Sequence, residues 1–189
     1  EDYQGFQNPV GLLQATNNAK TFSMLGSLSA LYDITKDLQF KSTVSMNMQT
    51  YNQRIYMPSF IQTGSYFGTP KEMSGIGSNS NSRMTNWFLE NTLTYNKNIA
   101  DIHDINILAG TSYETRKNSF FSATASGYPN DHSLNNLSSA ITPLFIRGDE
   151  PTGPQSYLLS FYLRANYTLM DKYVFTFTGR TDGSSKFGP

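Results

Sequence analysis

The chain has 189 residues, zero net charge from 14 basic and 14 acidic side chains, 38% hydrophobic, 14% aromatic and only 15% charged residues. Disorder needs few aromatics and much charge, so it is excluded, and so little charge, against a usual share of about 25%, is unusual for a soluble enzyme. There is no basic footprint for nucleic acid, no cysteine for a disulfide framework, and no apolar run near the roughly 18 residues of a transmembrane helix.

The first residues, Glu1 to Val10, lack an initiator Met and the basic and apolar regions of a signal peptide, so the chain reads as mature or excerpted sequence. Six segments then alternate with period two, the mark of strands with differently solvated faces. In the first, near 21–34, Phe22, Met24, Gly26, Leu28, Ala30, Tyr32 and Ile34 share one parity. In the second, near 38–51, Leu38, Phe40, Val44, Met46 and Met48 oppose Gln39, Lys41, Thr43, Ser45 and Asn47. A connection at 52–82 follows, with Tyr56, Tyr66 and Phe67, and its run Gly75-Ile76-Gly77-Ser78-Asn79-Ser80 reads as a flexible loop. Phosphate binding there is improbable without a following helix and Lys.

The third segment, 84–96, sets Trp87, Leu89, Asn91, Leu93 and Tyr95 against Phe88, Glu90, Thr92 and Thr94, and Asn91 here, Ser42 in the second segment and Leu108 in the fourth are exceptions to the alternation. The fourth, 104–116, sets Ile105, Ile107, Ala109 and Tyr113 against Asn106, Gly110, Ser112 and Glu114. Between them Asp101, His103 and Asp104 form a polar turn rather than a ligand set, because one His with nearby Asp is weak against known metal sites. The connection at 117–155 carries Tyr128 and the run Asp131-His132-Ser133. That run is read as loop polarity, since a catalytic triad needs spatial adjacency and a fixed tautomer. The fifth and sixth segments, 156–169 and 173–182, put Tyr157, Leu159, Phe161, Leu163, Tyr167, Tyr173, Phe175 and Phe177 on the apolar parity and Arg164, Arg180 and Asp182 on the polar one.

These strands exceed the usual 5–6 residues of soluble sheets and match the roughly 9–11 that a tilted strand needs to cross a bilayer. Short turns alternate with long connections, as in outer-membrane barrels with short periplasmic turns and long external loops. Residues 1–20, 52–82, 117–155 and the tail after Arg180 are expected outside the cell. Lys41, Glu90, Glu114, Arg164, Arg180 and Asp182 all fall on the polar parity, and a charge facing lipid at mid-depth costs about 2–4 kcal/mol, so the polar parity is expected to face the lumen. Phe22, Trp87, Tyr113 and Tyr157 at one end, and Tyr32, Tyr95, Tyr167 and Tyr173 at the other, are expected to form two aromatic girdles. Tyr56, Tyr66, Phe67 and Tyr128 are candidates for contact with a substrate or a lid partner, with loop packing as the plainer role. A soluble carbohydrate-binding sandwich or lipocalin-like barrel is the competing reading, with its apolar side turned inward.

The run Ser160-Phe161-Tyr162-Leu163-Arg164-Ala165-Asn166-Tyr167, then Asp171-Lys172-Tyr173, then Arg180-Thr181-Asp182-Gly183-Ser184-Ser185-Lys186-Phe187-Gly188-Pro189 resembles the SusC/RagA family of TonB-dependent outer-membrane transporters. Asn8-Pro9-Val10, Asn86-Trp87 and Leu108-Ala109-Gly110 match in kind. The resemblance implies an all-β antiparallel transmembrane barrel of 22 strands with a plug, of which this chain supplies about six strands. It also implies a SusD-like surface lipoprotein as partner, energy through the TonB complex, an oligosaccharide or peptide substrate, a place in the outer membrane of a Gram-negative bacterium, and no enzymatic activity or cofactor. A structural or adhesive barrel without energised uptake stays open as an alternative.

Overall fold

A computed structural model describes residues 9–61, 75–132, 135–148 and 155–187. After a single turn of helix, α1 (Pro9–Leu12), the chain forms β1 (Thr16–Asp33), β2 (Leu38–Met57), β3 (Ile76–Ile99), β4 (His103–Ser126), β5 (Thr142–Gly148), β6 (Gln155–Leu169) and β7 (Tyr173–Ser184). They make one seven-stranded sheet in the order β1-β2-β3-β4-β6-β7, with β5 paired to β4 off that path. Residues 121–126 of β4 pair antiparallel with β5, and residues 103–117 pair antiparallel with β6.

Several sequence expectations are corrected. The sheet has seven strands among the described residues, not six, because β5 lies inside the segment expected to be a loop at 117–155. β3 and β4 each run for 24 residues, so 76–82 and 117–126 are strand as well. The Gly/Ser run expected to be a flexible loop is strand from Ile76 onward, β2 continues to Met57, and β1 starts at Thr16 within the expected external segment. Outside the six alternating stretches the alternation lapses: polar residues fill both parities in 77–82, whereas Phe120-Phe121 and Phe145-Ile146 set apolar residues side by side, and backbone pairing continues in both cases. Asp182-Gly183 pairs in register with Ser160 and Leu159.

The short connections are tight. Ile102 N–H donates to Ile99 O at 3.1 Å and Lys172 N–H to Leu169 O at 3.0 Å. The central pairs Ala100-Asp101 and Met170-Asp171 all have φ between 52° and 56°. These are primed hairpin turns, whose twist suits the flanking strands but asks Ala and Met to adopt a left-handed backbone.

The chain divides into two compact units. The first comprises 1–22, 49–83 and 118–153; the second comprises 23–48, 84–117 and 154–189. Every buried apolar residue among the described ones, Tyr56, Ile61, Ile76, Ala125 and Tyr128, belongs to the first unit. In the second unit the apolar parity stays exposed, with Leu28 78% and Phe161 50% accessible, beside Val44, Leu89, Leu163 and Phe175. A sandwich would cover those side chains to gain about 25 cal/mol per Å² of buried apolar area.

Candidate functional site

In the second unit the polar parity is a hydrogen-bonded surface. Tyr162 on β6 donates its hydroxyl to Glu90 Oε1 on β3 at 2.6 Å, reaching across β4. It can do so because its register partner on β4 is Gly110, where an added Cβ would lie 2.3 Å from the Tyr162 ring. The Arg180 guanidinium carbon sits 6.0 Å from the same ring. Arg180 Nε donates to both Asp182 oxygens at 2.9 and 3.1 Å, and Nη2 to Ser160 Oγ at 3.2 Å. Ser160 is fully buried under this network. Glu90, Tyr162, Arg180 and Asp182 thus form a chain across four strands. It alternates acid, phenol and cation, so no charge faces its like.

A second rung of the same parity links β3, β4, β6 and β7. Asn106 donates to Asn96, Asn166 to Asn106 at 3.2 Å, and Thr176 to Asn166 at 3.0 Å. Glu114 accepts from Asn86 Nδ2 at 2.9 Å. Glu114 also lines a small cavity of about 150 Å³ with Arg116, Ser156, Tyr157, Leu158, Ser184 and Lys186, which, Tyr157 apart, are even-numbered positions of β4, β6, β7 and the turn after β7. Of the six charged candidates, Glu90, Arg180 and Asp182 are brought together and Glu114 joins a separate pocket. Among the described residues no ion pair is recorded for Lys41 or Arg164. Arg164 faces Thr178 in the register and Arg180 faces Tyr162, which keeps the two guanidiniums a rung apart. Sequence reasoning missed Tyr162 and Arg116. Their parity was the available signal, but it does not say which long side chain crosses which strand.

The aromatic candidates behave in two ways. Phe22, Tyr32, Trp87 and Tyr173 are exposed, and Tyr113 stacks on Tyr157 with centroids 6.3 Å apart. Tyr167 stacks between His103 and Phe175, and its hydroxyl is 2.6 Å from His103 Nδ1. Tyr95 is half-buried.

Tyr56 and Tyr128 lie in the first unit and are 1% and 5% exposed, packed edge to face with centroids 5.1 Å apart. The Tyr128 ring covers Gly77, where a Cβ would fall 2.1 Å from its hydroxyl. Asp131 Oδ1 accepts from the Tyr56 hydroxyl at 2.6 Å and Ser59 N–H at 2.9 Å, and Oδ2 accepts from Ser59 Oγ at 2.7 Å. Burial pushes the Asp131 pKa up, but the bonds from Tyr56 and Ser59 outweigh it and hold the carboxyl below its ordinary 3.8. As contacts for a substrate or lid, Tyr56 and Tyr128 are withdrawn into this packing. Asp131 is committed to Tyr56 and Ser59 rather than to His132, whereas Tyr66, Phe67 and Ser133 lie outside the described residues.

The motif at the end of β7 has a structural part. Besides the Arg180–Asp182 pair, Ser185 Oγ accepts from Tyr157 N–H at 2.9 Å and Ser185 N–H donates to Tyr157 O at 3.0 Å, closing the β6–β7 edge. Gly188 and Pro189 lie outside the described residues.

No family model matches the sequence. The chain is 32% identical over 198 aligned positions to TonB-dependent receptor P26 of Formosa agariphila, and 30% identical over 187 to TonB-dependent receptor P3 of the same organism. The alignments cover 98% and 95% of this chain. Over nearly its whole length the chain is similar to a segment of these TonB-dependent receptors. It spans only 19% and 17% of the length of those two relatives. Its fold superposes on the RagAB peptide importer in the open-open state with a TM-score of 0.80 and 21% identity, over 95% of this chain and 19% of that one. On the closed-closed state the TM-score is 0.72 at 22% identity, covering 93% and 19%. These relatives are named as receptors and importers, not enzymes.

Proposed function

We propose that this receptor segment forms part of the wall of an outer-membrane importer of oligosaccharides or peptides, energised through TonB and working with a SusD-like surface lipoprotein. One observation carries the reading. In the second unit the apolar parity is exposed and without a protein cover among the described residues, while the polar parity is a continuous hydrogen-bonded surface. That division suits lipid on one side and a water-filled or plugged lumen on the other.

The geometry supports the following lumenal roles. The Glu90–Tyr162–Arg180–Asp182 chain braces the wall. Arg164 and Lys41, free of carboxylates among the described residues, are the cations left for a plug or an anionic substrate group. The cavity of Glu114, Arg116 and Lys186 offers both signs of charge, which suits a zwitterionic peptide better than a neutral sugar. The likeness to a peptide importer points the same way.

Uptake of a labelled oligopeptide and a labelled oligosaccharide by cells carrying the intact receptor, with and without TonB, tests the reading. TonB-dependent accumulation of the peptide is expected. Accumulation of neither, by a receptor correctly inserted, would point instead to a structural or adhesive barrel.

A further inference from the structure

The first unit holds a groove of about 680 Å³ lined by the adjacent strands β1, β2, β3 and β4. It crosses the strands. Three neighbouring residues from each of β1, β2 and β3 line it, at 18–20, 52–54 and 79–81, and Phe121 adds a ring from β4. Gln53 Nε2 donates to Asn17 Oδ1 at 2.8 Å and Asn81 Nδ2 donates to Asn52 Oδ1, which holds these stretches side by side. Adjacent strands lie about 4.8 Å apart, so a groove over four of them is roughly 14 Å long, the length of about four extended residues.

The charge of the unit is one-sided. Its described residues carry Lys20, Arg54, Arg83 and Arg147 against one carboxylate, Asp131, which already accepts bonds from Tyr56 and Ser59. Lys20 and Arg54 line the groove, and among the described residues no carboxylate does. Arg54 Nη2 donates to the backbone oxygen and Oδ1 of Asn135 at 2.9 and 2.8 Å, which orients the guanidinium without neutralising it. Lys20 has no ion-pair partner among the described residues. Two cations in one groove repel each other and gain from an anion placed between them.

The rest of the lining favours a peptide as the carrier of that anion. The Asn81–Asn52 bond leaves Asn52 Nδ2 as a donor and Asn81 Oδ1 as an acceptor, with no further partner among the described residues. A backbone peptide group offers the complementary C=O and N–H. A carboxylate side chain matches the fork of an Arg guanidinium. Phe121, 42% exposed, offers apolar surface to the aliphatic stem of such a side chain.

We propose that this groove binds an extended acidic peptide, with Lys20 and Arg54 on Asp or Glu side chains and the Asn52–Asn81 pair on the backbone. The inference rests on the peptide reading of the proposed function and narrows it to acidic sequences.

The test uses the intact receptor in detergent and isothermal titration calorimetry. The probes are a Gly-Glu-Glu-Gly peptide with both termini blocked, its Gly-Gln-Gln-Gly and Gly-Lys-Lys-Gly counterparts, and tetragalacturonate as an acidic sugar. The Glu peptide should bind about tenfold more tightly than the Gln peptide, the scale of one good charge-assisted contact, and the Lys peptide should bind weakest. Lys20→Glu should abolish that preference. Lys20→Gln, which adds no reversed charge to the strand, should remove most of it, and Asn81→Asp should weaken it. Lys172→Glu, the same charge change in the β6–β7 turn, should leave it intact. Equal affinity for the Glu and Gln peptides, or a preference kept in both Lys20 variants, would overturn the proposal. Tighter binding of tetragalacturonate than of the Glu peptide would overturn the peptide occupant and assign the groove to acidic sugars. Uptake separates this inference from the function it rests on. A receptor that imports peptides through TonB without preferring acidic ones keeps the proposed function and loses the groove. Acid-selective binding without TonB-dependent uptake keeps the groove and loses the importer.

Discussion

The two units of the chain solve the problem of apolar side chains in opposite ways. The first packs Tyr56, Ile61, Ile76, Ala125 and Tyr128 into a small core and ties the segment after β4 to β2 through Asp131. The second buries no apolar residue among the described ones and organises its polar side instead. A sheet that folds in water behaves like the first. A sheet whose solvent is lipid on one face has no reason to cover Leu28 or Phe161, and must satisfy its polar groups internally. On the proposed reading, one strand such as β2 or β3 serves two solvents along its length.

The largest expected effect tests the second unit. Leu28→Arg or Phe161→Arg in the intact receptor should destabilise the inserted barrel by about 2–4 kcal/mol. Ser27→Arg and Ser45→Arg, a hydrogen-bonded pair on the polar parity 2.9 Å apart, should cost much less. Urea unfolding in lipid vesicles measures both sets, and equal damage would erase the contrast between the faces. Ser160→Arg is not a fair member of the tolerant set, because Ser160 is fully buried under Arg180.

Next comes the crossing side chain. Gly110→Val should push the Tyr162 ring off its bed and away from Glu90, at the roughly 1–3 kcal/mol typical of overpacking. Tyr162→Phe keeps the ring and removes only the bond to Glu90, so the same unfolding assay should give a smaller loss for it. A harmless Gly110→Val would mean that the polar side does not depend on this contact.

In the first unit, Tyr56→Phe should cost about 1 kcal/mol by taking a donor from half-buried Asp131, whereas Tyr128→Phe should cost little because its hydroxyl has no partner among the described residues. Limited proteolysis between residues 127 and 141 reads both. The folded-state pKa of Asp131 lies below its unfolded value, so its contribution is complete above the unfolded value of about 3.9 and is lost as pH falls through the lowered folded value. Protection of this segment should therefore be constant from neutral pH down to about 4 and decline below it. Asp131→Asn should remove that decline.

The smallest effect is in the hairpins. Ala100→Asn and Met170→Asn relieve a left-handed backbone at φ 56° and 52°, and each should stabilise by up to about 1 kcal/mol, read as a higher urea midpoint.

Much was legible in the sequence. Alternation located the bilayer-length core of each main strand, and the charges chose the polar parity, because a period of two binds every side chain in a strand to one face or the other. The same logic failed where strict alternation lapses. It placed Ile76–Ser82 and Asn118–Ser126 in loops and missed β5, since backbone hydrogen bonds pair regardless of hydropathy. Parity also put Glu90, Arg180 and Asp182 on one face without joining them. The joining depends on register, which sets Gly110 opposite Tyr162 and Ser160 opposite Asp182, and register is a relation between strands far apart in the chain. The burial of Tyr56 and Tyr128 was decided in the same way, by a carboxylate 75 residues from the tyrosine that it holds. The sequence by itself determined which face each side chain takes. Only the tertiary structure decided which neighbours share that face, because pairing partners are chosen by the closure of long loops and not by local pattern.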